Sequence, residues 1–345
     1  MLTREFHYEL PPELIAQHPI EPRDSSRLLV VDRASGDLAH RRFRDILTYL
    51  RPGDLLVANE SRVIPARLRA RKIPSGGQVE ILLLARHDPL RWEALTKGRA
   101  FRPGQRFRIV GRGEEGGVCG VVEAVAESGG RVLRFDEPLE PHLDQAGEVP
   151  LPPYIHAPLE DAERYQTVYS RIRGSVAAPT AGLLFTSQLV CELQASGVEW
   201  AWVLLHIGLD TFRPVTEEVA EEHRIHSEYC SLSPQAAERI NAARGEGRRV
   251  VAVGTTAVRV LETAASVAEE AGRVTPWEGH TRLFITPDYR FQVVDALITN
   301  FHLPRSSLLM LVSAFAGLDL VREAYRAAIA ERYRFFSFGD SMLIL

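Results

Sequence analysis

Four polar loops carry the side chains best suited to chemistry, and they are residues 178–182, 206–213, 254–256 and 300–304. Three of them follow apolar runs, and the first precedes a helix that begins near Thr186. His206 and His302 supply imidazoles, which can take up a proton near neutral pH. The amides of residues 254–256 open a helix, a natural place for a carboxylate or another anion. One such loop is often structural, but four on one sheet face predict a shared pocket.

A second group of side chains, His223, His226 and Cys230, has ligand types that suit zinc. No second pair of cysteines or histidines lies nearby, and Glu228 and Tyr229 interrupt the spacing. We therefore expect no metal ion. The segment nevertheless keeps open one alternative function, a metal-dependent hydrolase.

Common nucleotide and hydrolase signatures do not explain the chain. Residues 111–116 fit the Gly-x-Gly-x-x-Gly fingerprint literally, but they lie between two short strands and open no helix. We interpret them as a hairpin turn. The sequence has no Walker loop, no Gly-x-Ser-x-Gly elbow and no His-Glu-x-x-His helix.

Length and composition limit the classes of protein that fit. The chain has 345 residues, of which 45% are hydrophobic and 25% charged, as in a globular protein with room for two domains. The longest apolar run, residues 308–315, is shorter than the ~20 residues that span a bilayer. Cys119, Cys191 and Cys230 are odd in number and widely spaced, which indicates reduced thiols. We expect a cytoplasmic protein with no membrane partner.

Positive charge is concentrated locally, although the formal net charge is −4. Five cations fall close together, namely Arg62, Arg67, Arg69, Arg71 and Lys72. One interpretation is a solvated face. The other is a phosphate-binding patch on a protein that otherwise repels nucleic acid and binds one structured RNA at one place. This patch also keeps open a second alternative function, a non-catalytic RNA-binding module.

The elements that must position the loops change in character along the chain. Residues 63–149 hold short strand-like runs separated by glycine and proline, which is typical of a small antiparallel β-barrel. After Pro150, strands at 198–205, 249–253 and 291–298 alternate with helices at 234–244, 257–271, 306–315 and 318–332. This alternation predicts parallel β-α-β units, in which the loops after the strands form the active site.

The predicted fold class is therefore α/β: a parallel-sheet, barrel-like α/β domain with an inserted small antiparallel β-barrel domain. We predict that residues 1–62 form the first part of the α/β domain and residues 63–150 form the barrel. Residues 151–345 then form the second part of the α/β domain and carry the catalytic loops.

Long motifs in these same loops resemble one enzyme family. They include PGDLLVANESRVIPAR at 52–67, LPPYI at 151–155, YQTVY at 165–169, VAAPTAGL at 176–183, HIG at 206–208, HSEY at 226–229, VGTTAVR at 253–259, VDALITNFHLP at 294–304, LVSAFAG at 311–317 and YRFFSFGD at 333–340. The sequence closely resembles the S-adenosylmethionine:tRNA ribosyltransferase-isomerases of queuosine biosynthesis. The resemblance covers nearly the whole chain and is densest after Pro150.

The resemblance implies a transferase that uses S-adenosylmethionine as a ribosyl donor. Its acceptor would be 7-aminomethyl-7-deazaguanine at the wobble position of a tRNA with a GUN-type anticodon, and its products epoxyqueuosine-tRNA, adenine and methionine. S-adenosylmethionine would be a co-substrate, with no tightly bound cofactor, and the enzyme would act as a monomer. The family is similar in layout to the predicted fold.

Two positions depart from the family pattern. The family usually has a histidine after Pro-Thr-Ala-Gly-Leu, where this chain has Leu184. It commonly has a glycine where Asp210 stands in the loop after His206. A catalytic histidine in the first loop is therefore not carried over to this chain.

The implied chemistry needs a base for the proton beside the sulfonium, a donor for the departing adenine, and a neutral amine. For the catalytic roles we predict His206, His302, Glu228 and Asp340. Residues predicted to bind S-adenosylmethionine are Pro179, Thr180, Gly182, Gly208, Thr255, Thr256, Arg259 and Asn300. Arg259 has a second interpretation, as the structural partner of Glu262.

RNA contacts are predicted for two further sets of residues. The cations from Arg62 to Lys72 would grip phosphates of the anticodon stem. Tyr154, Tyr165 and Tyr169 would stack on exposed loop bases, as single-stranded RNA recognition prefers. Tyrosines in such segments also often pack inside the protein, and both interpretations stay open.

Overall fold

The chain divides into two compact units in this computed structural model. The first comprises Met1–Ser61, Pro152–Ile172 and Ala178–Leu345, and the second comprises Arg62–Leu151 and Arg173–Ala177. The structure describes residues 1–111, 117–126, 129–208, 214–225 and 227–345. Asp210, His226 and all but the first residue of the predicted turn at 111–116 lie outside the described residues.

Strands and helices are numbered in chain order over the described residues. The strands are β1 (Arg27–Val31), β2 (Leu38–Arg42), β3 (Leu55–Asn59), β4 (Ser61–Val63), β5 (Arg67–Ile73), β6 (Gln78–Arg86), β7 (Arg91–Lys97), β8 (Arg106–Ile109), β9 (Cys119–Val125), β10 (Arg131–Phe135), β11 (Gly147–Glu148), β12 (Ile172–Ser175), β13 (Glu199–Leu205), β14 (Glu228–Leu232), β15 (Val250–Val253), β16 (Trp277–Thr281), β17 (Ala296–Asn300) and β18 (Ser341–Ile344). The α-helices are α1 (Leu143–Ala146), α2 (Ser187–Ala195), α3 (Pro234–Gly245), α4 (Thr255–Ser266), α5 (Ser307–Ala316) and α6 (Leu318–Ala330).

A large mixed sheet organises the first unit. Its described strands follow the order β16-β14-β13-β3-β15-β17-β18-β1-β2. The neighbours β13, β3, β15 and β17 are parallel to one another, so their carboxyl ends meet at one edge. Strands β3, β15 and β17 are buried along their whole length, as expected where helices cover both faces of a parallel sheet.

A closed antiparallel barrel forms most of the second unit. Its described strands follow the order β5-β6-β7-β10-β9-β8, and β8 pairs back onto β5. Buried and exposed residues alternate along β5, where Leu68 and Ala70 point inward and Arg69 and Arg71 point outward. Closure leaves no free edge between β5 and β8. The predicted fold class, an α/β sheet with an inserted antiparallel barrel, is confirmed.

Local sequence signals explain several helix ends. The hydroxyl of Ser233 accepts a hydrogen bond from the backbone of Ala236 at 3.2 Å and caps α3, and Pro234 occupies the first position of the helix. Helix α4 begins at Thr255 after Gly254, whose φ of 86° lies in the left-handed region that favours glycine. Among the described residues, no helix is both long and apolar enough to cross a membrane.

One predicted strand, residues 291–298, is wrong at its start, because β17 begins only at Ala296. The carboxylate of Glu262, which is fully buried on α4, accepts the backbone amides of Gln292, Val293 and Val294 at 2.9, 3.1 and 3.3 Å. The backbone of this segment is thus satisfied by a side chain instead of a neighbouring strand.

Candidate active site

Three of the four predicted loops touch one another at the carboxyl edge of the sheet. The hydroxyl of Thr180 donates to Oδ1 of Asn300, at the end of β17, over 2.7 Å. The backbone amide of Gly254 donates to the carbonyl of Ile298 at 2.8 Å. A β-carbon built on Gly254 would lie 3.6 Å from that of Ala181, so the loop at 178–182 contacts both neighbours.

Gly182 is required by close packing beneath this first loop. A β-carbon at residue 182 would lie 2.1 Å from the hydroxyl of Tyr169 and 2.8 Å from Cγ2 of Thr167. Because such distances are far below van der Waals contact, any larger residue would displace the loop.

Leu184 ends the same segment and is buried in the apolar core with Phe43, Phe185 and Leu56. At the position where the family usually has a histidine, this chain therefore has a residue that packs.

A buried ion pair joins the fourth loop to the other three. Glu228 and Arg259 are 4% and 5% exposed, and Nη1 of Arg259 contacts Oε2 of Glu228. The other oxygen, Oε1, accepts the backbone amide of Gly208 at 3.0 Å. Arg259 lies on α4, one turn after Thr256. The pair therefore ties the His206 loop to the start of α4, and the partner of Arg259 is Glu228 instead of Glu262.

Three buried polar atoms of this assembly have no hydrogen-bond partner among the described residues. They are Nδ1 of His206, Oγ1 of Thr256 and Nη2 of Arg259. Buried polar atoms are nearly always paired in proteins, and leaving one unpaired costs about 1–3 kcal/mol, more for a charged group. The first amides of α4 also have no acceptor within the helix. The Thr256 hydroxyl, the Arg259 nitrogen and these amides together suit an anionic group such as a carboxylate, whereas Nδ1 of a neutral His206 ring can accept a proton.

His206 is held as a neutral imidazole. Its backbone amide donates to the carbonyl of Tyr229 at 2.9 Å, and its ring stacks on the Tyr229 ring with centroids 5.7 Å apart. Burial lowers the pKa of His206 to about 4. The ring is therefore uncharged near pH 7 and can accept a proton.

His302 is buried more deeply and is fixed on three sides. Its Nε2 lies 2.7 Å from the hydroxyl of Thr299, and its backbone amide donates to the hydroxyl of Tyr325 at 2.8 Å. The hydroxyl of Tyr8 donates to its carbonyl. Burial lowers the pKa of His302 to about 3, so this ring is also neutral. No sequence pattern indicates Tyr8 or Tyr325, since both contact His302 only through the fold.

Asp340 reaches the same edge of the sheet, just before β18. Its Oδ1 accepts the backbone amide of Arg27 and its Oδ2 that of Arg334, each at 2.7 Å. Burial raises the pKa of this carboxyl. Its carbonyl lies 3.5 Å from Nδ2 of Asn300, so the structure places Asp340 in support of the Asn300 loop.

The three tyrosines predicted to contact RNA pack inside the first unit. Tyr154 bonds Ser337 over 2.7 Å, with its ring 4.8 Å from that of Phe336. Tyr165 is 0% exposed, and the Tyr169 hydroxyl lies under Gly182. In this structure their rings serve packing, which is the second of the two interpretations of the sequence.

Outward-facing arginines on the barrel form a basic strip, defined here as Arg67, Arg69, Arg71 and Arg108. Arg108 of β8 lies opposite Arg71 in register, so the strip is wider than the sequence indicated. Arg67 lies 3.6 Å from Glu80 and Arg69 lies 3.3 Å from Glu148, and both pairs are exposed. Such pairs contribute little and can be exchanged for phosphate. Lys72 instead donates to the carbonyl of Arg99, and Arg62 is half-buried on β4.

The side chains considered as zinc ligands have other surroundings, as far as the structure describes them. His223 lies 3.0 Å from Glu217, and Cys230 is fully buried within β14. Over the described ranges, no group of three or more histidine, cysteine, aspartate or glutamate side chains could hold a metal ion.

Converging loops at the carboxyl ends of parallel strands, with neutral imidazoles and unpartnered donors, define a mixed α/β enzyme that carries a separate β-barrel. The chain belongs to the queuosine biosynthesis protein family, whose model matches residues 3–344. The family predicted from the sequence is thus confirmed, and the chain is an enzyme of the transferase class.

Named relatives are similar along their whole length. An S-adenosylmethionine:tRNA ribosyltransferase-isomerase of Symbiobacterium thermophilum is 57% identical over 348 residues, with 100% of both chains covered. One of Moorella thermoacetica is 54% identical over 353 residues, again with 100% of both covered. A crystal structure of S-adenosylmethionine tRNA ribosyltransferase from Thermotoga maritima is 41% identical, with a TM-score of 0.57 over 99% of this chain and 100% of that one.

Burial of the two histidines predicts how stability depends on pH. Their pKa values, about 3 for His302 and about 4 for His206, lie below the ordinary 6.5, so the unfolded chain binds more protons. The stability they contribute is present above pH 6.5 and is lost as pH falls towards the folded pKa values. When the pH falls from 7 to 5, the free energy of unfolding should decrease by about 2 kcal/mol less in His302→Gln than in the wild type, because the variant has no imidazole to protonate at this position. Urea denaturation at both pH values measures this, and equal losses would contradict it.

Proposed function

We propose that this enzyme transfers and isomerises the ribosyl moiety of S-adenosylmethionine onto 7-aminomethyl-7-deazaguanine at the wobble position of a GUN-type tRNA. The products are epoxyqueuosine-tRNA, adenine and methionine. The names of the full-length relatives support the donor and the class of acceptor. The observation that carries the proposal for this chain is the convergence of four loops on buried, unpartnered polar atoms of His206, Thr256 and Arg259.

The donor's amino-acid carboxylate binds at the start of α4. Nη2 of Arg259 and Oγ1 of Thr256 have no partner within the described chain, and the helix amides favour an anion. Glu228 orients Arg259 and compensates its charge, so the site is close to neutral before the zwitterionic amino-acid group arrives. Thr180 and Asn300, which bond each other, flank this position from the neighbouring loops. S-adenosylmethionine is a co-substrate in this scheme, with no tightly bound cofactor.

His206 removes the proton from the carbon beside the sulfonium. The positive sulfur acidifies that carbon, and a neutral imidazole with an unpartnered nitrogen can accept its proton. His302 is the second candidate, but its Nε2 already bonds Thr299. The neutral aminomethyl nitrogen forms a bond to the ribosyl unit and loses a proton. The bond from that unit to adenine breaks as adenine takes up a proton, and the bond to the sulfonium sulfur breaks with its electron pair going to sulfur, so that methionine leaves as a neutral thioether.

The outer face of the barrel supplies phosphate contacts. The basic strip consists of guanidinium groups on a surface whose ion pairs are exposed, so those groups can turn to RNA phosphates. We propose that the enzyme acts in the cytoplasm, as a monomer.

The direct test is adenine formation from S-adenosylmethionine and tRNA that carries the aminomethyl-deazaguanine. The wild type should release adenine, and His206→Ala should release it about 10²–10⁴-fold more slowly under saturating tRNA. His302→Ala is assayed beside it. If that variant is slow and His206→Ala is not, His302 is the base. Folded wild type that binds tRNA but forms no adenine would overturn the proposal in favour of an RNA-binding module. Activity lost on chelation and restored by zinc would favour the hydrolase.

Arg259→Lys tests the carboxylate site, because lysine keeps a cation beside Glu228 but loses the second guanidinium nitrogen. We expect KM for S-adenosylmethionine to rise about tenfold to hundredfold, the value of one hydrogen bond between charged groups. Arg244→Lys is the matched control, since Arg244 donates to the backbone carbonyls of Gly272 and Val293 and pairs with Asp295 at 3.6 Å, none of which belongs to the four loops. A KM equal to that of the control would remove Arg259 from the donor site.

The basic strip predicts a salt-dependent effect on tRNA binding. Replacing both Arg69 and Arg71 with alanine should lower the slope of log Kd against log salt by about two, one for each lost phosphate contact. Arg134→Ala is the control, because Arg134 lies on β10 and pairs with Glu123 at 3.7 Å. Filter binding from low to high salt measures the slope. Equal slopes for the double variant and the control would place tRNA elsewhere.

A further inference from the structure

Asn59 is a fully buried asparagine at the end of β3, and no role follows for it from the sequence. Its Nδ2 donates to the carbonyl of Leu205 at 2.9 Å. Its Oδ1 accepts the backbone amides of Leu205 and Ser61, each at 3.1 Å. One side-chain amide thus satisfies both backbone groups of Leu205.

The side chain of Asn59 continues the pairing with β13 at the point where the backbone hydrogen bonds between β3 and β13 end. The backbone amide of Glu60 still donates to the carbonyl of Val203 at 3.0 Å. Two residues further along β13, Leu205 is paired on its other side with Cys230 of β14. A carboxamide carries a donor and an acceptor, like a peptide group, so it can replace a backbone partner.

The consequence falls on the peptide between Leu205 and His206. Asn59 holds the carbonyl of that peptide, and the carbonyl of Tyr229 accepts its N–H from His206 at 2.9 Å. Because a peptide is planar, fixing both polar atoms fixes the plane that contains the α-carbon of His206, from which the side chain projects. The imidazole then stacks on Tyr229.

We propose that Asn59 is a positioning residue, whose carboxamide sets the Leu205–His206 peptide plane and so orients the His206 imidazole for proton removal. This inference rests on the proposed function of His206. A purely structural asparagine would lower stability without acting through His206, and the two roles can be separated.

The first test compares kcat and KM for adenine release. Asn59→Ala should lower kcat about 10- to 100-fold, since a displacement of about 1 Å in a reacting group has that effect. KM for S-adenosylmethionine should stay within about threefold, because the donor site is not touched. Asn59→Asp is nearly isosteric and keeps both accepting bonds, but an ionised carboxylate cannot donate to the Leu205 carbonyl, so kcat should fall where the carboxyl is ionised and recover where it is protonated and its O–H can donate. Circular dichroism checks that the variant folds.

A matched control is Asn241→Ala. Asn241 brackets the amide and carbonyl of Val274 in the same way, both at 2.9 Å, on α3. Its loss should lower the melting temperature as a structural asparagine does, with kcat unchanged. If Asn59→Ala and Asn59→Asp match this control in kcat, the inference is wrong.

A double-mutant cycle supplies the decisive readout. In a His206→Ala background, Asn59→Ala should have no further effect on kcat, because no imidazole is left to orient. A full additional loss would overturn the positioning role, and so would an unchanged rate for His206→Ala. Failure of the proposed function looks different, since the wild type itself would then form no adenine.

Discussion

The buried ion pair of Glu228 and Arg259 is the interaction on which the candidate active site depends. Removing two charges from water costs several kcal/mol per ion, and the cost is offset only when the remaining donors and acceptors find partners. Glu228 meets this requirement with the amide of Gly208, and Nε of Arg259 donates to the carbonyl of Leu283 at 3.2 Å. Nη2 of Arg259 has no hydrogen-bond partner among the described residues. The pair that fixes the loop geometry therefore also leaves one strong donor for a ligand.

Burial determines the protonation state of the site as well as its shape. His206 follows β13 and His302 follows β17, both in the parallel part of the sheet, and desolvation keeps both neutral. Their surroundings differ in one respect that matters for chemistry. His302 shares its Nε2 with Thr299 and is braced through its backbone by Tyr325, whereas His206 keeps an unpartnered Nδ1 within the described chain. The same physical effect thus produces one braced imidazole and one that is available to substrate.

Periodic patterns in the sequence predicted the α/β sheet, the inserted barrel and the four loops, because alternation and capping are local properties. They failed where a distant side chain satisfies the backbone. Residues 291–298 have the apolar character of a strand, yet Glu262 from α4 accepts the amides of residues 292–294 and β17 starts at Ala296. Helix α4 ends at Ser266 although its predicted pattern continued to 271. Arg108 joined the basic strip through strand register, which spacing along the chain does not reveal.

Asn59, Glu262 and Asp340 show why residue type alone could not settle the site. All three are buried polar side chains; Asn59 and Asp340 lie at strand ends, where sequence reasoning looks for catalysis, and Glu262 lies on α4 and reaches the segment that precedes β17. In the structure each uses its oxygens to accept backbone amides, at distances between 2.7 and 3.3 Å. Parallel strands diverge at their ends, and the peptide groups exposed there need partners that the ladder no longer provides. Polar residues at such an edge therefore divide into those that complete the backbone and those left for substrate, and only their contacts distinguish the two.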